Sequence, residues 1–137
     1  MKARRFGQIL MFSACFLVYW KHVSHATASI SCSGIDSDSA VEMILGAGPV
    51  PNILDVVVSK GARVIGTRAQ EGVELGNIAK SHSDGRLMQI EVIDDQATKR
   101  LLEVRILRVT GEEWGDFQIG YLQIEQEVPV AIRCEGP

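Results

Sequence analysis

The stretch of sequence that decides the fold is residues 86–109, which read RLMQIEVIDDQATKRLLEVRILRV. Two runs in it alternate apolar with polar side chains, and the alternating apolar residues are Met88, Ile90, Val92, Leu102, Val104 and Ile106. A period of two residues is typical of half-buried β-strands, because successive side chains of an extended chain point to opposite faces. A short polar break at residues 94–97 separates the two runs. We therefore predict a β-hairpin over residues 86–109.

The same alternation recurs along the rest of the chain, with residues 62–67 predicted as a further short strand. Turn signals separate the segments at residues 59–61, 84–85 and 110–115. The alternating apolar residues of these segments are Val41, Met43, Leu45, Leu54, Val56, Val58, Phe117, Ile119, Leu122, Ile124, Val128, Val130, Ile132 and Cys134. Seven to eight short strands in about 110 residues predict an all-β fold, namely a small antiparallel β-sandwich or barrel.

Two parts of the pattern are less regular. The apolar pair Leu107 and Val109 is out of phase with the residues before it, and the phase changes again at residues 120–121. We interpret both changes as β-bulges, which insert one extra residue into a strand. Residues 70–80 are predicted as a short strand or an irregular connection, because two glycines lower their helix propensity. Residues 97–108 have a helix-friendly composition, but their alternation favours a strand.

The first 28 residues have the layout of a secretory signal peptide. The chain begins with the basic sequence MKARR, continues with an apolar run at residues 6–20 and reaches the small residues ATA at 26–28. We predict cleavage after Ala28, with cleavage after Ala26 as the nearest alternative. The chain then consists of a signal peptide, residues 1–28, and a single β-domain, residues 29–137. This layout predicts a periplasmic or secreted protein.

Two other interpretations of the leader stay open. An uncleaved membrane anchor is disfavoured because a spanning helix needs about 20 apolar residues, which is more than residues 6–20 supply. Lipidation at Cys32 is disfavoured because this cysteine lies far beyond the end of the apolar run.

Removing the leader makes the domain more acidic. The leader contains four of the 14 basic residues and none of the 17 acidic ones, so ten basic and 17 acidic residues remain, a formal charge of −7. Nucleic acid is an unsuitable partner, because phosphate binding needs a basic surface. After signal removal no membrane partner is predicted. A cationic protein partner is compatible with this charge.

The remaining cysteines predict a disulfide. Removal of the leader leaves Cys32 and Cys134 near the two ends of the domain, together with a single histidine, His82. An even cysteine count in an exported chain indicates a disulfide, here closing a loop of about a hundred residues. These residues do not supply the four ligands of a structural zinc site, so no metal is predicted.

Sequence motifs that resemble catalytic sites are better explained as loops and turns. The glycines of residues 46–48 precede two prolines rather than a helix, so a phosphate loop is not expected. Residues 81–84, Ser-His-Ser-Asp, contain the letters of a nucleophilic triad but are adjacent, which indicates a polar turn with an exposed His82. The acidic clusters at residues 36–38, 94–95 and 112–116 are interpreted as solvated turns. We predict no catalytic residue and no cofactor.

The acidic loop after residue 110 is the best candidate for binding. Large aromatic side chains at loop edges can anchor a partner, although Trp114 could instead cap the core. The candidate binding residues are Trp114, Glu112, Glu113, Asp116 and Tyr121. The predicted function is a non-enzymatic binding or envelope-assembly protein whose partner is cationic, for example an envelope enzyme such as lysozyme, or is joined through an exposed strand edge. The alternative is a small secreted hydrolase or metal-dependent enzyme that uses surface carboxylates.

Overall fold

The computed structural model of the chain describes residues 27–48, 52–112 and 115–136. All regular structure in these ranges is strand, and none of them forms a helix that could cross a membrane. The nine strands are β1 (Ala28–Gly34), β2 (Ser39–Gly46), β3 (Asn52–Lys60), β4 (Arg63–Gly66), β5 (Glu74–Ser83), β6 (Leu87–Asp94), β7 (Arg100–Val109), β8 (Phe117–Ile124) and β9 (Val130–Glu135). Of the predicted signal peptide, only Thr27 and Ala28 lie within the described residues.

The strands pair in chain order and close into a barrel, in which β9 returns to pair with β1. All neighbours are antiparallel except β4 and β5, which run parallel over two residue pairs. The predicted all-β class is therefore confirmed, and the architecture is a barrel rather than a sandwich. The predicted strand count is too low because β1 was not recognised. Its buried Ile30 and Cys32 alternate with serines, which give a weak strand signal.

The core fills the interior of the barrel with inward-facing side chains from its strands. Full burial of one such aliphatic side chain contributes roughly 1.5–3 kcal/mol. The largest fully buried residues are Ile30, Met43, Ile65, Ile90, Leu101, Leu102, Leu122 and Ile132. The hairpin predicted over residues 86–109 forms as β6 and β7, with Met88 to Val92 pairing against Leu102 to Ile106.

The two predicted bulges in β7 and β8 are wrong. These strands pair without interruption from Leu102 with Ile124 to Val109 with Phe117. The change of phase therefore leaves apolar side chains on the outside of the barrel instead of returning them to the core. Register irregularities occur elsewhere, at Ile44/Leu45, Ile78/Lys80 and Val92/Ile93.

Gly120 explains why the pairing of β7 with β8 can stay continuous. A Cβ atom at this position would lie 1.8 Å from the backbone carbonyl oxygen of Arg105 on β7. Only a residue without a side chain permits such a close approach of two strands. The glycine that suggested a bulge in the sequence thus allows unbroken pairing in the barrel.

Two further residues predicted to face the core, outside β7 and β8, are exposed. Leu54 is 53% exposed and Val128 is 83% exposed. The register between β2 and β3 shifts after Ile44, and Ile53 takes the buried position beside Leu54. Val128 precedes β9, which begins only at Val130.

The predicted polar turn at residues 81–84 is largely strand. β5 continues to Ser83 and pairs with β6 over its whole second half. The turn is confined to the next residues, where the Asp84 carboxylate accepts hydrogen bonds from the backbone N–H groups of Arg86 and Leu87 at 3.0 and 2.8 Å. The polar segment forms a strand because β6 supplies its hydrogen-bond partners. His82 is exposed as predicted, but it lies on a strand.

The barrel closes where β1 meets β9. Cys32 and Cys134 are direct register partners on these strands, and their sulfur atoms are bonded at 2.05 Å. Both side chains are buried. The predicted disulfide is therefore confirmed, and it joins residues separated by 102 positions. A structural disulfide is compatible with an oxidising, exported location.

Replacing both cysteines, Cys32→Ala with Cys134→Ala, should lower the free energy of unfolding by about 4 kcal/mol. The physical reason is the chain entropy that the unfolded state regains when a loop of about a hundred residues opens. Urea unfolding at pH 7 measures the difference. Reductant should lower the wild-type midpoint towards that of the variant and leave the variant unchanged. Equal stability of the variant and the wild type in the absence of reductant would contradict the prediction.

Candidate functional site

Four large apolar side chains form one exposed surface on the outside of the barrel. They make two cross-strand pairs of β7 and β8, Leu107 with Ile119 and Val109 with Phe117. Their exposed fractions range from 39% for Ile119 to 52% for Leu107. Directly opposed side chains lie about 5 Å apart on one face of a sheet. The four residues therefore make a continuous surface, which we call the apolar face.

Three of the predicted binding residues lie on β8 or in the loop before it. Asp116 directly precedes β8, and Tyr121 lies further along the strand on its outward side. Glu112 lies in the loop between β7 and β8, and both acidic side chains are exposed. Glu113 and Trp114 lie outside the described residues, and their contribution stays a prediction.

Tyr121 belongs to a charged cluster that the sequence analysis missed. Its hydroxyl donates a hydrogen bond of 3.0 Å to the carboxylate of Glu103 on β7. The same carboxylate accepts hydrogen bonds from Arg105 Nε at 2.8 Å and from Arg100 Nη1 at 2.6 Å. Gln89 Nε2 lies 3.4 Å from it. The guanidinium of Arg105 also lies over the Tyr121 ring, 5.9 Å from its centroid.

Glu103 is only 5% exposed although it lies on the outside of the barrel. Burial raises its pKa, but the hydrogen bond from Tyr121 and the charges of Arg105 and Arg100 outweigh burial and hold the pKa below its usual value. Burial and the hydrogen bond to Glu103 raise the pKa of Tyr121. A charged carboxylate whose oxygens already accept these hydrogen bonds is a poor general base. Its hydrogen bonds hold Tyr121 and Arg105 beside the apolar face.

The cluster could have been recognised only after the strands were aligned. A glutamate that alternates with apolar residues is expected to point to solvent, so the sequence pattern gives no sign that Glu103 is buried. The pairing of β7 with β8 places Arg105 opposite Tyr121 and Glu103 opposite Gln123. The neighbouring long side chains then cover the carboxylate, which the pattern of a single strand does not show.

A cavity of about 290 Å³ opens at the end of the barrel where β2 ends and β6 begins. Its apolar walls come from β1, β2, β6 and β7, and they include Ile30, Leu45, Met88 and Ile106. We call it the mouth cavity. Concave sites with apolar walls at the mouths of β-barrels are common places for small-ligand binding.

The charged side chains that line the mouth cavity are Arg86 and Arg108, and no carboxylate is among its described lining residues. The backbone N–H of Arg108 donates a hydrogen bond of 2.8 Å to the carbonyl of Arg86, which holds the two residues together. Within the ranges that the structure describes, neither guanidinium forms an ion pair. Gln118, opposite Arg108 on β8, donates to the carbonyl of Gly136 at 3.1 Å.

The far end of the barrel carries a second charged cluster. Arg63 contacts Glu74 at 2.7 Å and Glu125 at 2.5 Å, and Lys99 contacts Glu125 at 3.4 Å. The hydrogen bond from Arg63 and its charge lower the pKa of Glu125. These groups satisfy one another at the surface, so the cluster ties the ends of several strands together and presents little unpaired charge to a ligand.

The other sequence candidates form no catalytic set among the described residues. His82 Nε2 lies 3.4 Å from Asp84 Oδ2, and both side chains are exposed. Asp94 accepts hydrogen bonds from the backbone N–H groups of Thr98 and Lys99, as expected for a turn. In the described parts of the chain, no group of three or more His, Cys, Asp or Glu residues could hold a metal ion.

Part of the edge of β5 is accessible among the described strands. β5 pairs with β4 only at Glu74 and Leu75, so within the described ranges its residues 77–83 have a strand neighbour only on the side of β6. Lys80 and His82 lie in this stretch and are exposed. Charged residues on an edge, lysine above all, disfavour the addition of a further strand. The apolar face is therefore the better candidate for a protein interface.

Comparisons with known proteins give no relative. No family model, no curated protein and no solved structure matches this chain.

Glu103→Gln should destabilise the protein by about 1–3 kcal/mol at pH 7, because two arginines and a tyrosine then lose their buried, charged hydrogen-bond acceptor. The folded-state pKa of Glu103 is lowered. Its contribution is therefore full above the ordinary glutamate pKa of about 4.3 and is lost as the pH falls through the lowered value. Urea unfolding at pH 7 and pH 3 measures both effects.

The matched control is Glu91→Gln, which changes the cross-strand neighbour of Glu103. Glu91 forms no ion pair within the described residues and is a like charge opposite Glu103, so this variant should be at least as stable as the wild type at pH 7. A Glu103→Gln protein as stable as the wild type at pH 7 would show that the cluster has no structural role.

Proposed function

We propose that this protein is an exported, non-enzymatic binding domain whose partner is a protein that docks on the apolar face. The observation that carries the proposal is the exposure of four adjacent large apolar side chains on paired strands. Isolated apolar residues are ordinary on protein surfaces, but contiguous apolar surface rimmed by polar groups is typical of interaction sites.

The residues around the apolar face suit an interface. Phe117 and Tyr121 are aromatic, and aromatic residues and arginine are enriched at the centres of protein interfaces. The Glu103 cluster holds Tyr121 and Arg105 in place. Surface fixed before binding loses less side-chain entropy when the partner docks.

The charge of the domain supports a cationic partner. The predicted exported domain has a formal charge of −7, and Glu112 and Asp116 are exposed in the connection between the two strands of the apolar face. A partner with basic residues around an apolar centre would complement both features. A cationic envelope enzyme such as lysozyme belongs to this class of proteins. The disulfide agrees with the oxidising compartment in which such a partner occurs.

The double variant Leu107→Ser with Phe117→Ser should lose binding of the partner. Affinity capture from an envelope extract with the wild-type domain should recover one cationic protein in stoichiometric amount. The double variant should recover at least about tenfold less of this protein. Truncation of a residue at the centre of an interface commonly costs more than 1 kcal/mol of binding free energy. Both side chains are exposed, so the fold should be retained.

The control for this experiment is Leu54→Ser, which removes an equally exposed leucine from β3. This variant should capture as much partner as the wild type. Equal capture by the double variant would reject the apolar face as the site. Failure of the wild type to recover any stoichiometric protein would reject a protein partner.

Charge reversal beside the apolar face should slow association with the captured partner. In Glu112→Lys with Asp116→Lys, the association rate measured by surface plasmon resonance should fall severalfold at low salt and much less at 0.5 M salt, because rim charges act mainly by steering. Asp36→Lys with Asp38→Lys changes two exposed acids of the β1–β2 loop and is the matched control. Equal slowing by the two pairs of substitutions would show that association depends on the net charge of the domain and not on the position of these acidic residues. Trp114→Ala tests the predicted aromatic contact in the same assay.

A further inference from the structure

We propose that the mouth cavity binds a medium-chain alkyl carboxylate, with the chain between the apolar walls and the carboxylate against Arg86 and Arg108. This inference goes beyond the proposed function and does not rest on it. The mouth cavity lies at the open end of the barrel interior, whereas the apolar face lies on the outside of the same strands.

The volume of the mouth cavity sets the length of the chain. The cavity measures about 290 Å³, and one water molecule occupies about 30 Å³ in the liquid. A cavity of this size holds about ten atoms of the size of carbon or oxygen. An eight-carbon carboxylate such as octanoate has ten such atoms. Shorter chains leave wall surface uncovered, and much longer ones extend into solvent.

The walls select an apolar chain. Ile30, Leu45 and Ile106 are at most 5% exposed, and Met88 packs against the same core. Their side chains offer no hydrogen-bonding group to a ligand other than the weak acceptor sulfur of Met88. Moving a methylene group from water into such a site is favourable, so each further buried methylene tightens binding. Ser83 and Gln118 also line the cavity, but the buried wall residues would not replace the hydrogen bonds that a polar chain such as a sugar makes with water.

The rim selects an anionic head group. Arg86 and Arg108 line the cavity, no described lining residue is acidic, and neither arginine has an ion-pair partner in the described parts of the chain. The nearest acid in sequence, Asp84, is bound to the backbone N–H groups of Arg86 and Leu87. Guanidinium groups bind carboxylates through paired, charge-assisted hydrogen bonds. The positive charge at the cavity is local, since the predicted domain as a whole is acidic.

Titration calorimetry with sodium octanoate and the intact exported protein tests the proposal. One octanoate should bind per chain, with a Kd on the order of 0.1 mM, as expected for a ten-atom ligand of intermediate ligand efficiency. Butanoate should bind at least tenfold more weakly, because its shorter chain buries fewer methylene groups against the apolar walls. Octan-1-ol, which has the same chain and no charge, should also bind more weakly than octanoate.

Two variants separate the head group from the chain. Arg86→Gln with Arg108→Gln should weaken octanoate binding about tenfold and leave octan-1-ol binding within twofold of the wild type. Arg133→Gln, at an exposed arginine of β9 that does not line the cavity, should leave both affinities unchanged. Ala47→Phe adds a bulky side chain to the lining and should weaken both ligands. Thermal unfolding confirms that each variant is folded. If the double arginine variant does not fold, the single change Arg86→Gln in the exposed turn replaces it.

Three results would overturn the proposal. They are absence of binding at 5 mM octanoate, unchanged octanoate affinity in the arginine variant, and unchanged affinity in Ala47→Phe. The variant Leu107→Ser with Phe117→Ser should bind octanoate normally, and loss of octanoate there would assign the ligand to the apolar face instead. Capture of the protein partner by the arginine variant should be unchanged. Failure of this proposal is therefore distinguishable from failure of the proposed function.

Discussion

Continuous pairing of β7 with β8 in a closed barrel fixes which of their side chains face outward. Each position of such a sheet faces either the packed interior or the outside, and a shift by one residue would exchange the two sets. Ile106 and Leu122 already occupy the interior at this point. Leu107 and Ile119 therefore have no place inside. The apolar face follows from a hairpin that carries apolar side chains in both phases of its alternation, and leaving these side chains in water forgoes their burial energy.

The same constraint places Glu103 on the outside and makes its burial depend on its neighbours. Taking a carboxylate out of water is costly, and a buried ion pair is weak evidence of net stability. What the cluster supplies is fixed geometry, because one carboxylate orients Arg100, Arg105 and Tyr121 together. The long side chains on this part of the sheet surface are thereby held in one conformation. The cluster and the apolar face are thus two parts of one surface, the first rigid and polar, the second available for burial.

The period-two pattern predicted the all-β class, the β6–β7 hairpin and the inward direction of Cys134, because each of these depends on alternation within one strand. It did not predict which strands were neighbours. The errors at Leu107, Leu54 and Ser83 all arise from strand pairing. The register is uninterrupted at Leu107 and shifted near Leu54, and at Ser83 the partner strand β6 supports a polar segment. The Glu103 cluster and the mouth cavity were missed for the same reason, since both are assembled from residues far apart in sequence. The disulfide could be predicted because only two cysteines, Cys32 and Cys134, follow the predicted leader.

Alternate residues of β7 contribute to two different surfaces. Leu107 and Val109 belong to the apolar face, while Ile106 and Arg108 line the mouth cavity. Coupling between two sites requires an element with two arrangements that both ligands influence. Here the shared element is a strand paired on both sides, in a barrel whose first and last strands are joined by a disulfide. Such a strand has little freedom to move one surface when the other is occupied. Binding free energies at the two surfaces should therefore add, and octanoate should not change the affinity for the protein partner.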